Sequence, residues 1–476
     1  MMNKRLLKIL ITLLISVCVL LSAIVPAYAE GRISVLDLTS IDGRAAPPEI
    51  DAPSAILMEA NTGAILYAKD AYSPYHPASV TKVMTALLTL ENCSLDETVT
   101  FSYRATHELE EGASSIARTE GEELNVEECL YALLVASANE VAQALAEHVG
   151  GSLERFAEMM TARAKELGCK DTYFVNPSGL NDPAHHTTCF DMALIMRKAL
   201  QDPTFVKIDS TTSHVIPATN KHKEELAIAM KHKLLLKGDS HYEYAQCGKT
   251  GYTSIAGYNL VTTAKKGPMN LICVVLGCKD SNSRYTSTRA LFDYGFSEFT
   301  MMDIAENDAD FRNNELITSD NSFLGSNLVS LSMPENNYVI VPAGVEFSEL
   351  ENALVWRDAS SPEDQIATLV YRYHDVKVGE VQLTIAEGES SAYDFLKENT
   401  TLPAEIEKDE LENPETKPQP IQEKAPSNPL IIAILVLLSA LVILLLILVI
   451  LKIRQGRRRK KRRSKYTWRS HHSSRF

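Results

Sequence analysis

The chain has 476 residues, 45% of them hydrophobic, which excludes a disordered polymer and leaves room for two or three packed domains. Its 61 acidic residues outnumber 47 basic ones, which argues against a polyanionic partner such as nucleic acid except at a local basic patch. Eight cysteines with no Cys-x-x-Cys pair rule out a zinc ribbon, and the odd seven that follow Cys18, without close paired spacing, give no disulfide framework.

The N-terminus carries Lys4, Arg5 and Lys8, then an apolar run to Ile24 and the small-residue signature Ala27-Tyr28-Ala29. This reads as a secretory signal peptide over 1–29, followed by a linker over 30–48. Residues 49–300 read as one α/β domain. Strands are expected over 55–58 and 64–67 around the turn Asn61-Thr62-Gly63. Helices are expected over 80–90, 126–135, 140–148 and 153–167, from apolar residues at helical spacing. Strands over 256–264 and 269–276 and a helix over 288–294 complete the domain, a sheet covered by helices.

Residues 301–395 lack helical periodicity. Short strands at 327–332, 338–341, 366–373 and 378–385 predict a small all-β module. A stalk rich in Pro and Glu spans 396–428. Residues 429–451 are free of charge and long enough to cross about 30 Å of hydrocarbon. The tail, 452–476, holds 12 Lys and Arg and no acid. It reads as a cytoplasmic stop-transfer segment touching anionic lipid, and the lipid bilayer is thus an expected partner. Of the 47 basic residues, 12 lie in that tail and 3 in the signal region, so the exported part sets 32 against 61 acids.

Three strings carry the chemistry. Ser79-Val80-Thr81-Lys82 sets a hydroxyl and an amine on one face of a helix start, where free N–H groups favour negative charge. Ser79 is the candidate nucleophile and Lys82 its base, provided that burial or a second cation keeps the amine neutral. Ser137-Ala138-Asn139 falls between two helices. There Ser137 can relay a proton to a leaving amine, and the Asn139 amide can position substrate and Lys82. Lys249-Thr250-Gly251, leading to Tyr252, lies on a strand. Lys249 and Thr250 can grip a carboxylate, Gly251 admits a close backbone, and Arg284 can add a second cation. Taken singly, each string also fits an ordinary helix cap or a solvated surface lysine.

Together the strings resemble those of the serine-type D-alanyl-D-alanine carboxypeptidases among the low-molecular-weight penicillin-binding proteins, whose motifs are Ser-x-x-Lys, Ser-x-Asn and Lys-Thr-Gly. Spacings of 58 and 112 residues separate them here, and Asn176-Pro177-Ser178-Gly179-Leu180 and His186-Thr187-Thr188-Cys189-Phe190-Asp191 add matching text. The similarity runs over 45–389. It implies a penicillin-binding/β-lactamase-like transpeptidase domain of α/β (α+β) class, a sheet covered by helices, followed by the small all-β domain; the C-terminal transmembrane helix is read from residues 429–451 themselves. The implied substrate is a peptidoglycan stem peptide ending in D-Ala-D-Ala. Ser79 would form the acyl-enzyme, and the Ser79 and Tyr252 N–H groups would form the oxyanion hole. Lys249, Thr250 and Arg284 would bind the terminal carboxylate. No metal or organic cofactor is implied, and β-lactams would acylate Ser79.

Three alternatives stand beside this reading. A class A β-lactamase shares the motif logic, but its Glu-x-x-Leu-Asn segment is missing between Asn139 and Lys249. A DD-endopeptidase would use the same residues on cross-links. A wall-binding protein with a relict site would use none of them. Family members usually end in an amphipathic helix on the membrane, whereas this chain offers a full span and a basic tail.

Overall fold

The computed structural model describes residues 36–110, 112–308, 331–332, 337–356 and 365–385. The chain divides into two compact units, 1–395 and 396–476. The second unit, with the expected stalk, membrane span and basic tail, lies outside the described residues, as does the expected signal peptide. Among the described residues no helix is long and apolar enough to cross a membrane.

In chain order the strands are β1 (Ser54–Glu59), β2 (Ile65–Lys69), β3 (Thr98–Thr100), β4 (Glu123–Asn125), β5 (Ser213–Ile216), β6 (Leu226–Ala229), β7 (Ala245–Thr253), β8 (Gly257–Lys266) and β9 (Met269–Cys278). The C-terminal part adds β10 (Phe299–Asp303), β11 (Leu331–Ser332), β12 (Tyr338–Pro342), β13 (Glu351–Trp356), β14 (Gln365–Tyr373) and β15 (Val376–Ile385). The helices are α1 (Lys82–Asn92), α2 (Tyr103–His107), α3 (Val126–Leu134), α4 (Asn139–Gly150), α5 (Leu153–Glu166), α6 (Cys189–Ala199), α7 (Pro203–Asp209), α8 (Ser281–Glu298) and α9 (Ile304–Asn307).

An antiparallel sheet in the order β2-β1-β9-β8-β7 organises the first 300 residues. Its two faces feed two cores. From β1, Ile56 and Met58 join one core while Ala55 and Leu57 join the other; from β9, Ile272, Val274 and Leu276 separate in the same way from Leu271, Cys273 and Val275. The period-two alternation of strand side chains produces this split. It also explains why these strands read as nearly unbroken apolar runs, since both faces are covered. The first core takes α1, α3, α4 and α6; the second takes α8 and the C-terminal strands.

The structure extends three expectations. The last helix of the domain runs from Ser281 to Glu298, far beyond 288–294, and Asp280 caps it by accepting from the N–H groups of Asn282 and Ser283. Residues 36–41, within the expected linker, lie against β2: Leu38 N–H donates to the Ile65 carbonyl at 2.9 Å, and Leu36, Leu38 and Ile41 are buried. β10 pairs with β12 from Phe299↔Pro342 to Asp303↔Tyr338, carrying the second core into a sheet ordered β11-β15-β14-β13. Residues 327–330, part of one expected strand, lie outside the described residues.

Candidate active site

Ser79 sits in a 3₁₀ turn, Ala78–Thr81, and α1 begins at Lys82. The nucleophile candidate therefore precedes the α-helix instead of occupying its first turn. The turn is held from several sides. Ala78 adopts a φ of 51°, a left-handed conformation that costs a non-glycine residue about 1–3 kcal/mol. Asn259 of β8 donates from Nδ2 to the carbonyls of His76 at 2.8 Å and Pro77 at 2.9 Å. Gly251 of β7 packs so closely that a Cβ there would stand 2.8 Å from the Pro77 oxygen and 3.2 Å from the Ser79 nitrogen. Gly179 is tighter still: its φ is +82° and a Cβ would fall 1.8 Å from the Ala78 oxygen.

Lys82 is fully buried. Its Nζ lies 3.1 Å from Ser79 Oγ, 2.7 Å from Asn139 Oδ1 and 2.7 Å from the Ser178 carbonyl oxygen. Two of these neighbours are carbonyl oxygens that only accept; the third is a hydroxyl that can also donate. A neutral amine matches the set, with its two N–H bonds aimed at the carbonyls and its lone pair at Ser79. Burial, followed by the charge of Lys249, drives the Lys82 pKa well below the ordinary lysine value, while Glu140 pulls the other way.

Lys249, also buried, donates from Nζ to Ser137 Oγ at 3.0 Å and to the Thr250 carbonyl at 3.0 Å. Ser137 carries a φ of 61° in the short link between α3 and α4. Burial pushes the Lys249 pKa down to about 8; Asp209 opposes this, and Arg284 and Lys231 add to it. Arg284, near the start of α8, donates to the carbonyls of Gly251 at 3.2 Å and Asn259 at 3.3 Å, and its guanidinium lies over the Tyr258 and Tyr285 rings. Thr250 is half-buried and the Tyr252 side chain exposed on the same edge strand. The structure thus brings the three strings together, with Arg284 behind the Lys-Thr-Gly strand.

Four participants have no role in the sequence reading. Ser178 holds Lys82 through its backbone carbonyl. That loop is wound around Asn176, whose Oδ1 accepts from the N–H groups of Ser178, Gly179 and Leu180. The matching text at 176–180 was the available signal, without a chemical role. Asn259 ties β8 to the turn that carries Ser79. Glu140 is buried and accepts from Ser115 Oγ and Ile116 N–H, fastening the loop that also takes the Asn139 N–H at the Ser114 carbonyl. Asp209 ends α7, fully buried, with neither carboxylate oxygen in an ordinary hydrogen bond. Burial pushes its pKa up to about 7 against the pull of Lys249 and the Gly248 N–H. A buried base, a reachable hydroxyl and backbone N–H groups beside it are the parts of a serine acyl-transfer centre.

Comparison with known proteins agrees with that class. The family profile described as D-alanyl-D-alanine carboxypeptidase matches residues 42–280. D-alanyl-D-alanine carboxypeptidase DacF of Bacillus subtilis (strain 168) is 30% identical over 356 residues, which cover 73% of this chain and 86% of the relative. Penicillin binding protein 5 of Haemophilus influenzae superposes with a TM-score of 0.57 at 25% identity, over 72% of this chain and 98% of the other. Penicillin binding protein 6B of Escherichia coli gives 0.55 at 26% identity, with the same coverage. The chain belongs to the D-alanyl-D-alanine carboxypeptidase family, and its described core has the penicillin-binding α/β transpeptidase fold.

Proposed function

We propose that this protein is a serine D-Ala-D-Ala carboxypeptidase that trims peptidoglycan stem peptides through a Ser79 acyl-enzyme. The observation that carries the reading is the Lys82 amine, enclosed in protein and 3.1 Å from Ser79 Oγ. As Oγ attacks the penultimate D-Ala carbonyl, its proton passes to Lys82 Nζ. The oxygen that gains charge lies against the N–H groups of Ser79 and Tyr252, each such donor contributing about 3–4 kcal/mol in other hydrolases. Collapse expels the terminal D-Ala, whose nitrogen takes a proton through Ser137. Asn139 Nδ2 remains for the substrate backbone because Oδ1 is engaged by Lys82. Lys249, Thr250 and Arg284 supply positive charge and donors for the free carboxylate, and β7 offers its edge to the peptide. Water then hydrolyses the ester, with Lys82 again as the base. A β-lactam would enter the same steps and stop at the ester.

The same reading places residues 49–300 as the catalytic domain and 301–395 as its β-rich companion. It takes 1–29 as a removable signal, 30–48 as the lead-in, 396–428 as a stalk, 429–451 as the anchor and 452–476 as a cytoplasmic tail. The charge-free run followed by 12 basic residues supports a catalytic domain held outside the cell.

Mass spectrometry of penicillin-treated protein after tryptic digestion tests the reading directly, together with D-Ala release from a monomeric muropeptide. The expected result is one adduct, on the peptide containing Ser79, and free D-Ala. An adduct elsewhere, or none, overturns the nucleophile assignment; adduct without D-Ala release overturns the carboxypeptidase activity.

A further inference from the structure

At the far ends of the two helices that carry Lys82 and Asn139 lies a second cluster of reactive side chains. α1 starts with Lys82 and is closed by Cys93, whose N–H donates to the Thr89 carbonyl. α4 starts with Asn139 and carries His148 in its last turn. The N-terminal ends are joined by the 2.7 Å Lys82–Asn139 bond. The C-terminal ends meet where Cys93 Sγ, Glu97 and His148 place one ligand atom each within 4.8 Å of one another. The two helices therefore run side by side in the same direction, with a functional cluster at one end and an unassigned one at the other.

We propose that Cys93, Glu97 and His148 form a binding site for a zinc-type divalent cation. Thiolate, imidazole and carboxylate are the three donors that such ions take, and three protein ligands leave a fourth position for water. The separations suit the task. Bonds of about 2.0–2.3 Å around a tetrahedral ion put ligand atoms about 3.3–3.7 Å apart, and His148 Nε2 already lies 3.0 Å from Glu97 Oε2. The backbone is ordered around them: the Glu97 carbonyl accepts from Val126 N–H at 3.0 Å, and its other carboxylate oxygen accepts from Ser94 N–H at 2.7 Å. Access is open, since the side chains of His148 and Glu97 are 24% and 43% exposed. Of the seven cysteines after Cys18, six are buried and only Cys93 is within reach of solvent.

Binding exchanges groups in a balanced way. Cys93 gives its thiol proton to solvent and becomes the thiolate ligand. The Glu97–His148 hydrogen bond is replaced by two metal bonds: the proton that Nε2 donates in that bond leaves it for solvent or for Nδ1, which frees the Nε2 lone pair for the ion. Without metal, burial and the nearby Glu97 charge hold the Cys93 thiol protonated by raising its pKa. The ion would clamp the far ends of the helices that bring Lys82 and Asn139 together.

The test uses the reduced full-length protein in detergent, titrated with Zn²⁺ and, separately, with Co²⁺. Expected are one Zn²⁺ per chain, a rise in melting temperature that a chelator reverses, and a thiolate-to-cobalt charge-transfer band in the near ultraviolet. Cys93→Ser should abolish the band, and His148→Gln should weaken Zn²⁺ binding at least tenfold. Near-ultraviolet circular dichroism checks that both variants fold, independently of whether the protein is a carboxypeptidase. Should a variant not fold, alkylation of the wild-type protein mapped by mass spectrometry decides: Zn²⁺ should slow modification of Cys93 at least tenfold. Cobalt binding without a thiolate band, as the tail residues His471 and His472 would give, overturns the proposal. So does a band that survives Cys93→Ser, or Cys93 alkylation indifferent to Zn²⁺.

Discussion

In the C-terminal sheet, Leu369, Tyr371, Val381 and Leu383 alternate with exposed or half-exposed residues and are buried, and the buried Tyr371 hydroxyl donates to Asp308 at 2.6 Å. Its described left-handed non-glycine, His374 at φ 52°, sits in the two-residue turn that closes the β14–β15 hairpin at Tyr373↔Val376. Around Ser79 the same chain buries two lysines and holds Ala78 and Ser137 at positive φ. There Glu140, Asp209 and Arg284 each keep a buried polar atom without a hydrogen-bond partner. Such departures cost about 1–3 kcal/mol apiece, so the large α/β core must offset them. The difference teaches that ordinary packing accounts for the C-terminal sheet, whereas two buried lysines beside a turn held at positive φ go against packing preference, the pattern expected of a functional site.

The sharpest break of that contrast is Ser79→Ala. It removes one oxygen from a strained turn that the neighbouring strands hold in place. Labelling by fluorescent penicillin should vanish while the melting temperature stays near wild type. Labelling retained in the variant would move the chemistry elsewhere. Lys82→Ala comes next. Losing the base should slow acylation by about 10²–10⁴-fold, measured by stopped-flow with a reporter penicillin. Near-normal acylation would leave the buried amine a purely structural role.

Gly179→Ala probes the strain directly. The new Cβ would meet the Ala78 carbonyl oxygen at 1.8 Å, so the turn bearing Ser79 must shift. A displacement of about 1 Å at a reacting group can cost about 10²-fold, and the positive φ adds about 1–3 kcal/mol of destabilisation. Acylation rate and urea midpoint should both fall. A variant with a normal rate would show that the 176–180 loop does not set the position of Ser79.

Much of this contrast was legible in the sequence, and the reasons are specific. β1 and β9 announce themselves by β-branched and apolar runs, and α3, α4 and α5 by periodic Ala and Leu. The front half of α8, Ser281-Asn282-Ser283-Arg284-Tyr285-Thr286, has no such signal. Arg284 there reaches the Gly251 carbonyl, Ser283 bonds back to the Asp280 carbonyl, and Asn282 and Thr286 are exposed, so the Asp280 cap, not an apolar stripe, starts the helix. β13 escaped for a related reason: Glu351, Asn352, Ala353 and Val355 are exposed, so no alternating pattern marks it. In the site, side chains that react were readable because their types are unusual together. A backbone carbonyl such as that of Ser178 has no residue type to betray it, and Asp209 looks like any acid near a helix end.

Asp209→Asn sharpens the contrast through pH. Burial lowers the Lys249 pKa to about 8 from an ordinary 10.5, and the Asp209 charge limits the drop. A lysine whose pKa falls on folding binds fewer protons folded than unfolded, so this group's contribution to stability improves as pH rises through the window from about 8 to 10.5. In the proposed mechanism activity runs the other way, since a neutral Lys249 would neither attract a carboxylate nor keep Lys82 deprotonated. Removing the Asp209 charge should lower the Lys249 pKa further, moving the alkaline limb of acylation to lower pH with a few-fold loss at its former plateau. Acylation rate against pH reads this out. An unmoved limb would disconnect Asp209 from Lys249.

The smallest effect at the nucleophile should come from the largest cut in the C-terminal module. Leu369 is fully buried there, and Leu369→Ala should cost about 2–5 kcal/mol through lost burial and a residual cavity. The groups that hold Ser79 come from α1, the 176–180 loop, β7 and β8. Penicillin acylation per folded molecule should therefore stay within about twofold of wild type, with denaturant midpoints recording the stability loss in parallel. The two regions are not insulated by construction, however: Leu57 of β1 and Leu369 belong to one continuous core, bridged by the β10–β12 pair. A tenfold slower acylation in fully folded Leu369→Ala would mean that this core transmits packing defects to β1 and onward through the sheet to β7. The module would then be a prop for the active site, not a separate spacer behind it.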